Sequence, residues 1–193
     1  ASPFHVGKSR LREQMLATRA RENGVIVTYT NMVGGQDELV FDGNSLILDQ
    51  SGEVVLRGKA FEEDMLVADL NVAAVARDRM AQGRKKWGSG RTRATVDRMV
   101  VSESPRATKR PRLVPAGAAP LEPLEEVYRA LVVGVRDYVA KNGFKRVVIG
   151  LSGGIDSALT AVVAVDALGA SNVRGLFMPS SYTSRESRED VAE

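Results

Sequence analysis

The chain has 193 residues, 44% of them hydrophobic and 26% charged, with 27 Lys and Arg against 24 Asp and Glu; this ordinary globular composition excludes a wholly disordered or fibrous chain. The absence of cysteine excludes a disulfide, a thiolate metal site and a cysteine nucleophile among these residues. No run approaches the roughly 20 apolar residues that cross a bilayer, and the N-terminus lacks a basic-then-apolar leader pattern, so a soluble, cytoplasmic protein is expected.

From Lys8, the positions Leu11, Met15, Leu16 and Ala20 recur at helical spacing, and Asn23-Gly24 supplies a stop, which predicts an amphipathic helix. "VIVTYTN" (Val25 to Asn31) is rich in β-branched residues and reads as a buried strand, followed by a loop at Gly34-Gly35. "SLILDQSGEVVLRG" places Asp49-Gln50-Ser51-Gly52 between two strand-like runs, a hairpin signal. "DMLVADL" (Asp64 to Leu70) predicts one more strand, and "NVAAVARDRMA" a helix capped by Asn71.

Between Gln82 and Pro120 periodicity is lost. Arg84, Lys85, Lys86, Arg91, Arg93, Arg98, Arg106, Lys109, Arg110 and Arg112 gather there against only Asp97 and Glu103, together with Pro105, Pro111, Pro115 and Pro120. This is the composition of an interdomain linker. Beyond it, Leu124, Val127, Leu131, Val135 and Val139 predict an amphipathic helix from Pro123 to Asn142, stopped by Gly143. Strand "RVVIGL", helix "DSALTAVVAVDALG", strand "VRGLFMPS" and a helical tail "SRESREDVAE" then form a βαβ unit with a parallel sheet. One such unit cannot bury both faces of a sheet, so an internal fragment of a longer protein is expected.

The turn inside that unit, "GLSGGIDS" (Gly150 to Ser157), carries the chemistry. A glycine-rich turn between a strand and a helix N-terminus presents unpaired N–H groups at the positive end of the helix dipole, where phosphate binds. Gly153 and Gly154 admit close approach of an anion, and Ser152 and Ser157 supply hydroxyl donors. Asp156 would repel phosphate unless a divalent cation such as Mg²⁺ bridges the two. The spacing is neither G-x-x-x-x-G-K-[ST] nor G-x-G-x-x-G.

The stretch Ser152 to Ser157 resembles the SGGxDS pyrophosphate loop of the ATP pyrophosphatase superfamily, which cleaves ATP between its α- and β-phosphates to adenylate a substrate. Within that superfamily, "MPSSYTSRESREDVAE" (Met178 to Glu193) and "LEEVYRALVVGVRDYVAKNGF" are similar to glutamine-dependent NAD synthetases. "ASPFHVGK" and "NGVIVTYTNMVGGQDELVFDGNSLILDQSGEVV" resemble the later part of a nitrilase-type amidase. Their order is that of the glutamine-dependent NAD synthetases. The resemblance implies an α/β chain: residues 1–81 as the C-terminal part of a nitrilase-like α/β/β/α sandwich, a basic linker over 82–120, and residues 121–193 as the start of a parallel-sheet adenine-nucleotide α-hydrolase-like (PP-loop) domain.

It further implies amidation of deamido-NAD to NAD through an adenylated intermediate, with ATP and Mg²⁺ as cofactors and ammonia drawn from glutamine. ATP would be bound by Gly150, Leu151, Ser152, Gly153, Gly154, Ile155, Asp156, Ser157, Met178 and Thr183, with Asp156 placing the metal. Ser2 and Lys8 would contact glutamine. The cysteine, glutamate and lysine that release ammonia in the family would lie upstream of Ala1. A homo-oligomer is expected of the intact enzyme, with neither membrane nor nucleic acid as partner. Three readings remain beside this one: another SGGxDS adenylating amidotransferase, a nucleic-acid-binding protein built on the basic stretch and Trp87, and an inactive nucleotide-binding remnant. His5 is expected to be structural; Asp37, Glu38 and Asp42 read as a solvated loop edge, with an active-site wall of the intact amidase as the alternative; Thr183 and Ser184 either reach adenosine or cap the last helix.

Overall fold

A computed structural model describes residues 1–81, 99–100, 113, 116–181 and 183–192; most of the basic stretch, Trp87 included, lies outside them. The first helix, α1 (Lys8–Asn23), ends where expected, with Gly24 in the left-handed region at φ 57 and its N–H closing onto Ala20 and Arg21 carbonyls. Its buried face differs from the predicted one. Arg12, Ala17 and Ala20 turn inward, while Leu11 and Met15 are exposed. An arginine occupies the apolar stripe because a carboxylate waits for it across the fold, as described below.

α1 packs on a three-stranded antiparallel sheet ordered β1 (Val27–Tyr29), β4 (Leu46–Leu48), β5 (Val54–Arg57). Leu46 and Leu48 are fully buried against Ala17, with Leu16, Val27, Tyr29 and Val54 around them. β1 is an edge strand and only half-buried, shorter than the predicted run. The hairpin joining β4 and β5 turns at Asp49 to Gly52 as predicted. Asp49 Oδ1 accepts the Ser51 N–H at 2.9 Å, the Ser51 hydroxyl at 2.6 Å and the Glu53 N–H at 3.0 Å, the turn-stabilising pattern for which Asp is favoured.

Gly34-Gly35 is not a loop. Both glycines lie in β2 (Val33–Gln36), paired antiparallel with β3 (Leu39–Asp42). The reason sits a hundred residues away, in α3 (Pro123–Lys141), which crosses this hairpin. A Cβ on Gly35 would stand 3.2 Å from Asp137 Cβ and 3.3 Å from the Gly134 Cα, so bare backbone is what lets helix and strand meet. The Gly35 N–H donates to Asp137 Oδ2 at 2.7 Å, and Lys141 Nζ donates to the Gly35 carbonyl. Beside this joint, Ala130 and Val133 of α3 bury Phe61, whose ring meets Phe4 edge-on at 5.4 Å. The predicted face of α3 is again shifted: Leu124 and Leu131 are exposed, and Glu126, Ala130, Val133 and Val139 are the buried positions.

Asp64 to Leu70 forms no strand. Leu66, Ala68 and Leu70 are half-buried in alternation, the two-residue period behind the strand reading, yet the segment pairs with no strand among the described residues. α2 (Val72–Ala81) begins as predicted, with Asn71 Oδ1 accepting the Ala74 N–H at 3.1 Å.

The C-terminal part is the expected βαβ unit. β6 (Val147–Leu151) pairs in parallel with β7 (Val173–Phe177), Val147 opposite Val173 through Leu151 opposite Phe177. Between them run α4 (Ile155–Leu168) and a short 3₁₀ turn (Ala170–Asn172), and α5 (Arg185–Ala192) follows. α4 packs on α3, where the Tyr128 hydroxyl donates to Asp166. The two strands are far from buried: Val148 and Leu176 are exposed, as are Ile155, Leu159 and Val162 on α4. No helix among the described residues is long and apolar enough to cross a membrane.

Two predictions follow from the joint between α3 and the hairpin. Gly35→Ala is expected to lower stability by about 1–3 kcal/mol through overpacking against α3 backbone, read as a lower midpoint in urea unfolding of the chain. The second concerns acid. Burial pushes the Asp137 carboxyl up, but hydrogen bonds from Arg136 and from the Gly35 N–H outweigh it and hold the group below its ordinary value. A carboxylate depressed in the folded state contributes stability above its unfolded pKa of about 3.9, and that contribution is lost as pH falls through the folded value. Asp137→Asn should therefore unfold at a lower midpoint at pH 6 and lose less stability than the parent between pH 5 and 2.

Candidate functional site

Residues 150–157 pass from β6 through a tight turn into the first turn of α4. Gly153 adopts φ +82, a conformation that L side chains rarely take. A Cβ there would come within 2.7 Å of Ser187 Cα, so α5 closes directly over the turn. Gly154 is the N-cap of α4 and leaves the helix N-terminus open, with no side-chain cap. The hydroxyls of Ser152 and Ser157 stand 3.1 Å apart; the Ser157 hydroxyl also accepts the Ser152 N–H at 3.2 Å and donates to the Gly154 carbonyl at 2.8 Å. The Gly154 N–H donates to Ser152 Oγ at 3.3 Å. Three of the residues singled out in the sequence, Ser152, Gly154 and Ser157, thus form one closed ring of hydrogen bonds at the positive end of a helix.

Asp156 lies in the first turn of α4, exposed, where a negative charge is favoured by the helix dipole. No group of three or more acidic or histidine side chains able to hold a metal ion occurs among the described residues. One carboxylate beside a glycine-rich turn at an open helix N-terminus nevertheless fits the chemistry of Mg²⁺, which takes one or two protein carboxylates and completes its shell with phosphates and water. Met178 reaches the same strand edge, its Cε 3.7 Å from where a Gly150 Cβ would stand, and Ile155 and Met178 are both largely exposed. Thr183 closes its own turn, Oγ1 accepting the Ser180 N–H at 2.8 Å. Ser184 caps α5 by accepting the Ser187 N–H at 3.1 Å. The contact of Ser187 with Gly153 escaped sequence reasoning, because nothing local ties the helical tail to the turn.

A second polar cluster lies in the N-terminal part, on the other side of α1 from solvent. Asp42, expected at a solvated edge, is completely buried. Its carboxylate pairs with Arg12, Oδ2 at 2.7 Å from Nη2 and Oδ1 at 3.2 Å from Nη1. Burial works against the Arg12 charge, but the hydrogen bonds and charge of Asp42 outweigh it and hold the guanidinium above its ordinary value. Arg12 also lies over the Tyr29 ring, 5.4 Å from its centroid. Asp37 and Glu38 are exposed at the β2–β3 turn, as expected. Ser2 and Lys8 sit beside this cluster. The Ser2 N–H donates to Asn31 Oδ1 at 2.8 Å, and Lys8 Nζ donates to the Pro3 carbonyl at 2.9 Å, so both residues hold the same short segment ahead of α1. Ser2 lies well ahead of α1, which starts at Lys8 with Gly7 before it. His5 is exposed, Nδ1 3.2 Å from the Val6 carbonyl. Arg12 and Asn31 were missed in the sequence and the burial of Asp42 was not foreseen, although one signal existed: Arg12, Leu16 and Ala20 share a helix face, and an arginine on an apolar face calls for a buried acid.

Residues 2–80 match the carbon-nitrogen hydrolase family model and residues 127–193 the NAD synthase family model. The chain is 46% identical to a glutamine-dependent NAD(+) synthetase of Thermotoga maritima, over 99% of this chain and 33% of that protein. It is 49% identical to one of Aquifex aeolicus, again over 99% of this chain and 33% of the relative. Among solved structures, a glutamine-dependent NAD+ synthetase from Acinetobacter baumannii in complex with adenosine diphosphate superposes with a TM-score of 0.75 at 38% identity, covering 100% of this chain and 30% of that one. A glutamine-dependent NAD(+) synthetase from Cytophaga hutchinsonii shares the fold, with a TM-score of 0.60 at 18% identity. The chain spans about a third of the length of these relatives; its N-terminal part is similar to carbon-nitrogen hydrolases and its C-terminal part to NAD synthases.

Gly153→Ala is expected to lift α5 from the turn, since it adds a side chain in the left-handed region, at about 1–2 kcal/mol, and a clash with Ser187. Hydrogen exchange reports it: α5 amides should exchange faster while those of β6 and β7 keep their protection.

Proposed function

We propose that this chain, similar along its whole length to glutamine-dependent NAD(+) synthetases, is the part of such an enzyme that carries the end of its glutamine-hydrolysing domain and the ATP-binding turn of its synthetase domain. The reaction is amidation of the nicotinate carboxylate of deamido-NAD. A carboxylate oxygen is a poor leaving group, so the carboxylate first attacks the α-phosphorus of ATP. The bond from that phosphorus to the β-phosphate bridging oxygen breaks, and pyrophosphate departs. Ammonia then attacks the acyl carbon and displaces AMP.

The observation that carries this reading is the ring of Ser152, Gly154 and Ser157 at the open N-terminus of α4. Its two hydroxyls bond each other and the turn; phosphate oxygens take over those donors, together with helix N–H groups aimed the same way. Because the dipole and the donors are fixed before substrate arrives, they meet the charge that gathers on departing pyrophosphate with little reorganisation. Gly150, Leu151, Gly153 and Ile155 shape the floor of the turn, while Met178 and Thr183 line the adenosine side. Asp156 is the residue that would hold Mg²⁺. When bound there, the metal supplies charge neutralisation for the leaving group.

Ser2 and Lys8 contact the glutamine that supplies ammonia, a hydroxyl and a cation suited to an α-carboxylate. Glutamine hydrolysis through a thioester cannot occur on these 193 residues, which include no cysteine. The protein works in the cytoplasm as a homo-oligomer. Another adenylating amidotransferase would share the turn and differ in its product.

Calorimetry with Mg²⁺ and ATP tests the phosphate site. Binding should weaken at least tenfold in Ser152→Ala and in Asp156→Asn, and binding that is indifferent to both variants overturns the placement. Incubating the full-length enzyme with deamido-NAD, ATP and glutamine should yield NAD, AMP and pyrophosphate; any other amidated product selects a different member of the superfamily.

A further inference from the structure

One side chain grips the main chain of Ser2 at both ends. Asn31 Oδ1 accepts the Ser2 N–H at 2.8 Å, and Asn31 Nδ2 donates to the Ser2 carbonyl at 3.0 Å. Asn31 is itself 7% exposed and held from two directions. Its second amide hydrogen goes to Asp42 Oδ1 at 3.1 Å, and its backbone N–H to Ser45 Oγ at 3.1 Å. Asp42 in turn is fixed by the paired bonds from Arg12. Each group in the series Arg12, Asp42, Asn31 therefore has one orientation that satisfies its neighbours, and a buried amide turned the other way would face the Asp42 carboxylate with its oxygen.

The grip fixes the two ends of one residue and leaves the side chain between them unused. Asn31 spans the Ser2 N–H and carbonyl, which sets the direction of the Cα–Cβ bond, while the Ser2 hydroxyl makes no hydrogen bond among the described residues. The neighbouring peptide is pinned as well, by Lys8 Nζ on the Pro3 carbonyl, one of three donors that an ammonium carries. A segment without regular structure is thus pinned at two successive residues, Ser2 by Asn31 and Pro3 by Lys8, with the Ser2 hydroxyl left over and the Lys8 ammonium keeping donors to spare. Tethering the segment alone would require neither a bidentate grip nor a buried ion pair behind it.

We infer that Asn31 is a positioning residue for amide-substrate binding: through the Ser2 main chain it aims the Ser2 hydroxyl at the α-carboxylate of glutamine, with Asp42 and Arg12 fixing its orientation. The inference rests on the proposed glutamine contacts of Ser2 and Lys8. It concerns substrate binding and not the chemical step, so its signature is a split between KM and kcat.

The test uses the full-length enzyme, with ammonium chloride as the alternative nitrogen donor measured on the same preparation. In Asn31→Ala, KM for glutamine should rise about tenfold, the loss of two hydrogen bonds' orientation, with kcat at saturating glutamine falling less than KM rises. The ratio of glutamine-supported to ammonia-supported rate at low glutamine should fall by the same factor. A variant whose KM for glutamine stays within about twofold of the parent overturns the inference, and so does one whose two rates fall together, the mark of a structural role. If Asn31→Ala does not fold, Ser45→Ala, which removes only the acceptor for the Asn31 N–H, decides: a selective rise in KM supports the positioning role and an unchanged KM overturns it. Ser2→Ala separates the layers beneath. An unmoved KM in that variant, or a parent enzyme that uses ammonia but not glutamine, overturns the glutamine reading itself and the inference with it.

Discussion

A buried guanidinium has to find a buried carboxylate, and the N-terminal part of this protein is organised around that requirement. The pair of Arg12 and Asp42 ties α1 to β3. Such a pair contributes little net stability, because both charges leave water, whereas removing one partner strands the other at a cost of about 3–5 kcal/mol. Its value lies in specificity. With Asp42 in place there is one direction for the Asn31 amide, and with Asn31 fixed there is one path for the chain at Ser2. The surrounding apolar side chains supply cohesion, but they would tolerate small rotations that the polar series does not.

The C-terminal part solves a different problem with opposite means. Its turn is built from residues of small volume, and its order comes from hydroxyls bonding backbone atoms within six positions of one another. Nothing in it is deeply buried, so the hydrogen bonds are ones that an incoming anion can replace at small cost. Rigidity therefore serves one half of the chain, and replaceable contacts serve the other. Both sites nevertheless rest on α1, α3 and α4, whose packing sets where each terminus or turn can be.

What could be read from the sequence was what short-range chemistry determines. The stop at Gly24, the Asp49 turn, the Asn71 cap and the Ser152 to Ser157 turn each depend on residues within a few positions, and each appears where the pattern places it. The errors share one cause: a distant partner. Gly34-Gly35 reads as a loop unless one knows that α3 will lie on it, and Asp42 reads as a solvated acid unless Arg12 is brought to it across thirty positions. Likewise the inward faces of α1 and α3 are set by what they pack on, which exposes Leu11 and Leu124 and buries Arg12 and Glu126. Alternation in Asp64 to Leu70 did report half-burial, but a strand also needs a neighbour with free backbone groups, and periodicity carries no word of that.

The contact between α3 and the β2–β3 hairpin has a consequence for how such a protein can be divided. Helix and hairpin meet through matched glycines, through both polar groups of the Gly35 peptide, and through Phe61 set among Ala130, Val133 and Phe4. None of these contacts uses the residues that connect the two parts along the chain. Covalent continuity raises the local concentration of one surface near the other, and the end of the connecting stretch adds a contact of its own, the Ala118 N–H donating to the Arg57 carbonyl at 2.9 Å. A break in the backbone ahead of Gly117 would change the entropy of bringing helix and hairpin together while leaving the groups that make these contacts in place.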